Sequence, residues 1–357
     1  MTWDPKQPYS PPSLPPSVDL QKPEIFEALM KARTELAELK GYSSALPNPL
    51  LLLSPAILKE SVASSEIENI HTTLMDALQM ELFPEAERNA PNKEVLRYRE
   101  AILWGFNQLQ QIPISTRIIQ GVQAQLLPET GGEYRRQQNQ ITNMVNGEIV
   151  YTPPIASEIP TLLGNWETFA NRDPEQFDPL LKSAIAHYQF EAIHPFGDGN
   201  GRTGRILMVL QLVQDRILNL PILYVSGYIQ RNRGEYYRLL RGVTANGEWQ
   251  PFLQFMLKSF HSQAQETKRF VLKIRELFES YRESIRERLP KAYSGDLIEL
   301  LFSYPIISPV KLGEKMDIHY TTASRHLKAL AAEGFLKNKK SGKYQLFINE
   351  SLIKILS

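Results

Sequence analysis

His194-Pro195-Phe196-Gly197-Asp198-Gly199-Asn200-Gly201-Arg202-Thr203-Gly204-Arg205 runs directly into Ile206-Leu207-Met208-Val209-Leu210-Gln211-Leu212-Val213. The first twelve residues hold a candidate base (His194), a carboxylate suited to a metal (Asp198), an amide (Asn200), three spaced glycines (Gly199, Gly201, Gly204) and two arginines (Arg202, Arg205). The apolar run after them is long enough to read as a buried helix. A Gly-rich loop that opens such a helix aims free backbone N–H groups and the positive end of the helix dipole at one spot. The stretch therefore reads as a phosphate site with a histidine and an acid at its mouth.

Each residue type has a physical job there. A histidine, with an ordinary pKa of about 6.5, accepts a proton at neutral pH. Asp198 is a hard oxygen ligand suited to Mg²⁺, which takes one or two carboxylates together with phosphate oxygens and water. Gly199 and Gly201 let the backbone approach a phosphate closely and adopt left-handed angles. Asn200 can donate to a phosphoryl oxygen. Arg202 and Arg205 are three apart, on one helix face, and their forked donors match phosphate oxygens. Phosphoryl and nucleotidyl transfer depend mostly on positioning and charge neutralisation, and this set suffices for both. The chain lacks the Gly-x4-Gly-Lys-Ser/Thr pattern of a P-loop. It also lacks a second histidine at zinc spacing, because His187 and His194 are seven apart and straddle a loop.

Composition narrows the class. The 357 residues carry a net charge of +1, with 42% hydrophobic and 22% charged residues and no cysteine. Such a chain is globular, large enough for two or three domains, and without a global basic field that would demand nucleic acid or an anionic membrane. Zero cysteines exclude disulfides, thiolate metal sites and a cysteine nucleophile, and fit a reducing cytosol. Apolar runs fall short of the roughly 20 residues that a membrane helix needs, so the expectation is a cytoplasmic protein with no membrane partner.

The organisation reads as mainly α. Residues 4–16 carry six prolines and are expected to be extended and loosely ordered. Helical spacing marks Glu24 to Lys40, a second helix through Glu60 and Ser64 to Glu68 with Asn69 at a left-handed stop, and a third over Asn92 to Gln110. Ser115 caps a helix to about Leu126. Ile141 to Val145 and Glu148 to Thr152 then flank Asn146-Gly147, the strongest short hairpin signal. Pro160 to Asn171 and Pro179 to Ala192 are helical, followed by helices from Ile206, Asn232 and Trp249. Phe252 to Leu289 is one spanning helix or two. From Asp296, a helix, a short helix capped by Ser308, and a third over Thr321 to Glu333 precede strands at Phe335–Leu336 and Tyr344–Ile348.

The run at 194–205 resembles the Fic family signature, His-Pro-Phe-x-Asp/Glu-Gly-Asn-Gly-Arg-x-x-Arg, at every fixed position. The resemblance extends to Gly132-Glu133-Tyr134-Arg135, to Tyr151-Thr152-Pro153-Pro154 and to 228–237, so it covers about 60–290. It implies a Fic-type helical core with a β-hairpin flap, and transfer of AMP from ATP to a Tyr, Thr or Ser hydroxyl of a protein. His194 would take the hydroxyl proton and Asp198 would hold Mg²⁺. Asn200 and the Gly199–Gly201 amides would stabilise the α-phosphate, and Arg202 and Arg205 would hold the β- and γ-phosphates, with Gly204 in the same loop. Relatives that phosphorylate carry Lys where this chain has Gly201. The 141–152 hairpin would pair with an extended segment of the target, or of this chain itself, by strand addition. Asn232, Tyr236 and Tyr237 are candidate lining of the base or ribose pocket, with helix packing as the alternative.

Ser64-x-x-x-Glu68-Asn69 is similar to the family's inhibitory helix. Its implied action is for Glu68 to take Arg205 from the γ-phosphate and misalign ATP; in some relatives the same Glu supports removal of AMP. Residues 291–357 resemble a winged helix-turn-helix domain, with ten Lys/Arg against six Asp/Glu and Arg325, His326 and Lys328 on the recognition helix. DNA binding, packing, homodimer formation and target docking are the alternatives there. The expected division is 1–100 (N-terminal helical region), 101–290 (catalytic core) and 291–357 (winged helix). The alternative to an AMP transferase is a DNA-binding regulator whose core senses nucleotide.

Overall fold

The computed structural model describes residues 3–84, 87, 89–143, 146–342 and 344–356. Helices α1 (Pro23–Ser44), α2 (Pro49–Leu52), α3 (Ser54–Ile67), α4 (Leu74–Met80) and α5 (Ala90–Gln108) form the N-terminal part. After α6 (Thr116–Leu126) comes a hairpin, β1 (Ile141–Thr142) and β2 (Ile149–Tyr151). The core continues with α7 (Ile159–Ala170), α8 (Pro179–Ile193), α9 (Asn200–Gln214), α10 (Val225–Arg231), α11 (Arg233–Asn246) and α12 (Trp249–Arg288). The C-terminal part is α13 (Gly295–Ser303), β3 (Ile306–Ile307), α14 (Pro309–Met316), α15 (Tyr320–Ala332), β4 (Lys337–Ser341), β5 (Tyr344–Ile348) and α16 (Glu350–Leu356).

The central pair is α8 and α9. Every residue of α8 except Glu191 is buried, and α9 is buried continuously from Arg202 to Leu212. Helices that are apolar on all sides belong at the centre of a bundle. α5 and α6 flank α9, α7 and α12 flank α8, and α1 lies along α12. The one lysine of α8, Lys182, is fully buried and pairs with Asp215 at 2.9 Å, with a further bond to the Arg172 carbonyl at 2.6 Å. A buried ammonium requires such partners.

Four features differ from the sequence reading. First, α9 begins at Asn200, six residues before Ile206, because Gly199 makes the turn at φ 81° and the helix starts inside the Gly-rich stretch. Second, residues 224–237 form two helices, α10 and α11, which meet at Asn232, while Trp249–Arg288 is a single 40-residue helix. Third, the proline-rich segment is docked. Tyr9 N–H donates to the Thr152 carbonyl (2.9 Å), Leu14 N–H to Asn165 (2.8 Å), and Gln189 to the Pro12 carbonyl (2.9 Å). Proline's fixed φ lowers the entropy lost on ordering, and side chains from α7 and α8 satisfy the exposed carbonyls. Fourth, the strand expected at Phe335–Leu336 lies instead at Lys337–Ser341, as β4, and the short strand β3 and helix α16 escaped the pattern.

The hairpin is short. Ile141 faces Tyr151 and Thr142 faces Ile149 across a register shift. Asn143 N–H donates to the Glu148 carbonyl at 2.8 Å, and Gly147 supplies the left-handed turn residue at φ 72°. Met144 and Val145, expected in the first strand, lie outside the described residues. In the C-terminal part the sheet order is β3-β5-β4, all antiparallel, beside α13, α14 and α15. The β4–β5 hairpin rests on the N-terminal part, with Ser341 accepting from Gln79 (3.0 Å) and Tyr344 stacked on Phe83 at 4.5 Å.

Candidate active site

His194 ends α8 in the left-handed conformation, φ 49° and ψ 58°. This turns the chain from α8 into the loop that opens α9. Arg135 pins the turn. Its Nε donates to the His194 carbonyl (3.0 Å), its N–H to the Pro195 carbonyl (2.9 Å), and its remaining nitrogens to the Gln137 and Pro154 carbonyls. One guanidinium thus ties the loop to both ends of the hairpin segment. Burial pushes the His194 pKa down to about 4, with Arg135 adding to the effect. The imidazole is therefore neutral at pH 7 and able to accept a proton.

The loop closes on itself. Asn200 accepts from Phe196 N–H at 2.8 Å and donates back to the Phe196 carbonyl at 2.9 Å. The amide expected to face a phosphoryl oxygen is engaged with the loop backbone instead, because a tight turn at the start of a buried helix leaves those backbone groups without other partners. The Asp198 side chain is 72% exposed, accepting from Gly199 N–H (2.6 Å) and Arg202 (3.1 Å). Arg202 also pairs with Glu94 of α5.

Arg205 is 1% exposed and fully engaged. Its Nε donates to Ser64 Oγ (2.8 Å), and its terminal nitrogen donates to the Ser64 carbonyl (3.0 Å) and to Glu68 Oε1 (2.8 Å). Glu68 caps the C-terminus of α3, and Asn69 follows at φ 63°. Burial raises the Glu68 pKa, but the Arg205 charge outweighs it and holds the carboxyl below its ordinary value. A Cβ at Gly201 would sit 2.3 Å from Glu68 Oε1. Only glycine at 201 admits the Glu68 carboxylate at this position. Gly204 plays the corresponding part beneath, where a Cβ would meet Glu191 Oε1 at 2.3 Å.

The comparisons with known proteins agree with this geometry. The chain matches the descriptions "Fic/DOC family N-terminal" over residues 26–107, "Fic/DOC family" over 113–212, and "Protein adenylyltransferase SoFic-like, C-terminal domain" over 277–352. The chain belongs to the Fic/DOC family. "Protein adenylyltransferase Fic" of Aedes aegypti is 31% identical over 162 residues, 45% of this chain and 30% of that protein. The Drosophila melanogaster protein of the same name is 32% identical over 153 residues, 42% and 28% of the two chains. The match thus spans less than a third of those relatives' length. Among solved structures, a Fic family protein from Desulfovibrio desulfuricans shares the fold at a TM-score of 0.59 and 20% identity, covering 96% of this chain and 98% of that one. Fic-1 of C. elegans (residues 134–508) does so at 0.53 and 21%, covering 69% and 73%.

In this Fic/DOC chain the three candidate pocket residues sit among the helices. Tyr236 is 1% exposed and its hydroxyl meets His187 Nε2 at 2.7 Å, so it packs inward beneath Arg205 and does not open onto a base pocket. Asn232 closes α10 by donating to the Tyr228 carbonyl at 2.9 Å. Tyr237, 43% exposed, lies under the Arg233 guanidinium. Functional neighbours that sequence reading missed are Arg135, Glu94, Glu60, His187 and Glu191. Arg135 stood in a quoted motif without a role. The others are single polar residues on helices, and only burial distinguishes them.

His194 and three of these buried neighbours set a pH dependence. Burial pushes His187 down to about 3 and His194 to about 4, and raises Glu60 to about 7 and Glu191 to about 8. At neutral pH His187 and Glu191, 3.9 Å apart, are both uncharged. The histidines have lower pKa values folded than unfolded, so their contribution is present above about 6.5 and lost as pH falls toward 4 and 3. The carboxyls are raised, so theirs is present below about 4.5 and lost as pH climbs through 7 and 8. Glu191→Gln should flatten the decline in unfolding free energy between about pH 4.5 and 8 by up to about 1.4 kcal/mol per pH unit. Urea melts of both proteins from pH 5 to 8 measure this; parallel curves would exclude a protonated Glu191.

Proposed function

We propose that the chain is a protein adenylyltransferase that moves AMP from ATP to a Tyr, Thr or Ser hydroxyl of a protein and is held quiet by Glu68. The observation that carries this reading is the neutral His194 at the mouth of the Gly199–Gly201 turn, beside the N-terminus of a 15-residue buried helix. The target hydroxyl oxygen would attack the α-phosphorus, its proton would pass to the His194 imidazole, and pyrophosphate would leave. The backbone N–H groups that open α9 would receive the negative charge that develops on the phosphoryl oxygens. Asp198, exposed at the mouth, fits a Mg²⁺ that takes one carboxylate and otherwise phosphate oxygens and water; when bound it supplies charge neutralisation. The names of the insect relatives, protein adenylyltransferase Fic, support the same reaction.

The target segment would add as a strand to the 141–152 hairpin, with self-modification as a special case. The three-part division at 100 and 290 belongs to the same reading, supported by the separate family matches and by the end of α12 at Arg288. So does a cytoplasmic location, consistent with the absence of cysteine and of any described helix long and apolar enough to cross a membrane. Intact-mass analysis after incubating candidate proteins with the Glu68→Gly enzyme and ATP tests the reaction. A gain of one AMP supports it; a gain of phosphate, or none, overturns it.

A second reading, DNA binding by the C-terminal part, is favoured by one observation. Tyr320 is 50% exposed at the start of α15, and Thr321, Arg325 and Lys328 of that helix are exposed too. The β4–β5 wing is engaged with Gln79 and Phe83, so contact would rest on α15 and phosphate-facing lysines. A gel shift of the full chain should weaken steeply between 50 and 200 mM salt, as phosphate-dominated contacts do. No retardation at about 50 mM salt would leave α15 as a protein-docking helix.

A further inference from the structure

Outside the catalytic loop, a cleft of about 220 Å³ opens between α3, α12 and α16. Three cations line it: Lys59 of α3, and Arg269 and Lys273 of α12. The one carboxylate there, Glu266, lies 3.8 Å from Lys59 and is already shared with Arg231 at 3.2 Å. The remaining wall is apolar, built from Tyr224, Phe270 and Ile355. Thr267, 4% exposed, closes one side of it.

We infer that this cleft binds a small organic anion: a phosphate or carboxylate carried on an aromatic or short aliphatic body. The anionic head is matched to Lys59, Arg269 and Lys273, and the body to Phe270, Tyr224 and Ile355. Surplus cations around an apolar floor select such a ligand over a bare ion, which leaves the floor wet, and over a neutral ring, which leaves the cations unmatched.

The site has a consequence for α3. Lys59 stands on the same helix as Ser64, and Glu68 caps its end, so the cleft and the Arg205 clamp share one element. Ile355 brings in α16 of the C-terminal part, which packs on α3. The cleft exists only while α3 is docked against α12 and α16. A ligand that binds only the docked arrangement stabilises it by mass action. On the functional reading above, such an anion would strengthen the restraint on Arg205; the binding itself does not depend on that reading.

Phenyl phosphate is the probe, with phenol and inorganic phosphate as controls, each titrated calorimetrically into the full chain, and variants in the cleft separate binding there from binding at the catalytic loop, which they leave intact. Phenyl phosphate should bind and both controls should bind at least about tenfold more weakly. Arg269→Ala, at an exposed position in the lining, should weaken phenyl phosphate about tenfold while leaving the melting temperature unchanged. Lys273→Ala, at an exposed position, should weaken it likewise. Hydrogen exchange of residues 54–67 should slow on binding. No binding of phenyl phosphate, or an affinity unchanged from wild type in both variants, overturns the site. Binding without slowed exchange overturns its link to α3. Neither measurement reads AMP transfer, so an inactive enzyme would refute the function without touching this result.

Discussion

On the proposed function, Glu68→Gly should raise AMP incorporation into protein by about a hundredfold or more, because a reacting group released from a misplaced geometry regains that order of rate. The carboxylate stands 2.8 Å from the Arg205 guanidinium, in the space that the missing side chain of Gly201 leaves open. A triphosphate laid on the start of α9 would meet a negative charge where its terminal phosphate needs a positive one. Removing the carboxylate frees Arg205 and removes the repulsion together. The same substitution should lower stability by on the order of 2 kcal/mol. That is less than the loss of a fully buried pair, since Glu68 is 30% exposed and Ser64 still accepts two bonds from Arg205. Higher activity with a lower melting temperature is therefore the signature, read with labelled ATP and a thermal melt. Equal labelling by wild type and Glu68→Gly would exclude the restraint.

His194→Ala, introduced into the Glu68→Gly enzyme, lowers the rate by about 10²- to 10⁴-fold, the range a positioned general base supplies. The loop itself should survive. The bonds that hold it run through the His194 backbone carbonyl and N–H, to Arg135 and Phe190, and these remain after the side chain is cut. ATP affinity, measured by equilibrium binding, should change little, which separates a lost base from a collapsed site. A double variant as active as Glu68→Gly alone would remove His194 from the reaction.

Much of the fold was legible because its signals are local. Ser115 and Ser308 cap helices where the residues following them become periodic, and each side chain accepts from the backbone N–H three residues on. The Asn146-Gly147 turn, the stop at Asn69 and the spacing of Arg202 and Arg205 are local too. The start of α9 was misplaced because apolar periodicity begins at Ile206, whereas the helix begins where Gly199 permits a left-handed turn. The proline-rich segment was misread because its order comes from Thr152, Asn165 and Gln189, 140 or more residues away.

The sequence by itself determined the residue set: a base, an acid, glycines and arginines at helical spacing, and Ser64 four before Glu68 on another helix. Such motifs are legible because their spacing within one turn or one helix sets their geometry. Only the tertiary structure decided the environment. It buried Arg205 and gave it Ser64 and Glu68 as partners, turned Asn200 back onto the loop and Tyr236 onto His187, and assigned Arg135 to brace the catalytic turn. Burial and charge pairing depend on helices more than a hundred residues apart, and those quantities govern whether an imidazole is neutral, a buried carboxyl protonated or a guanidinium available.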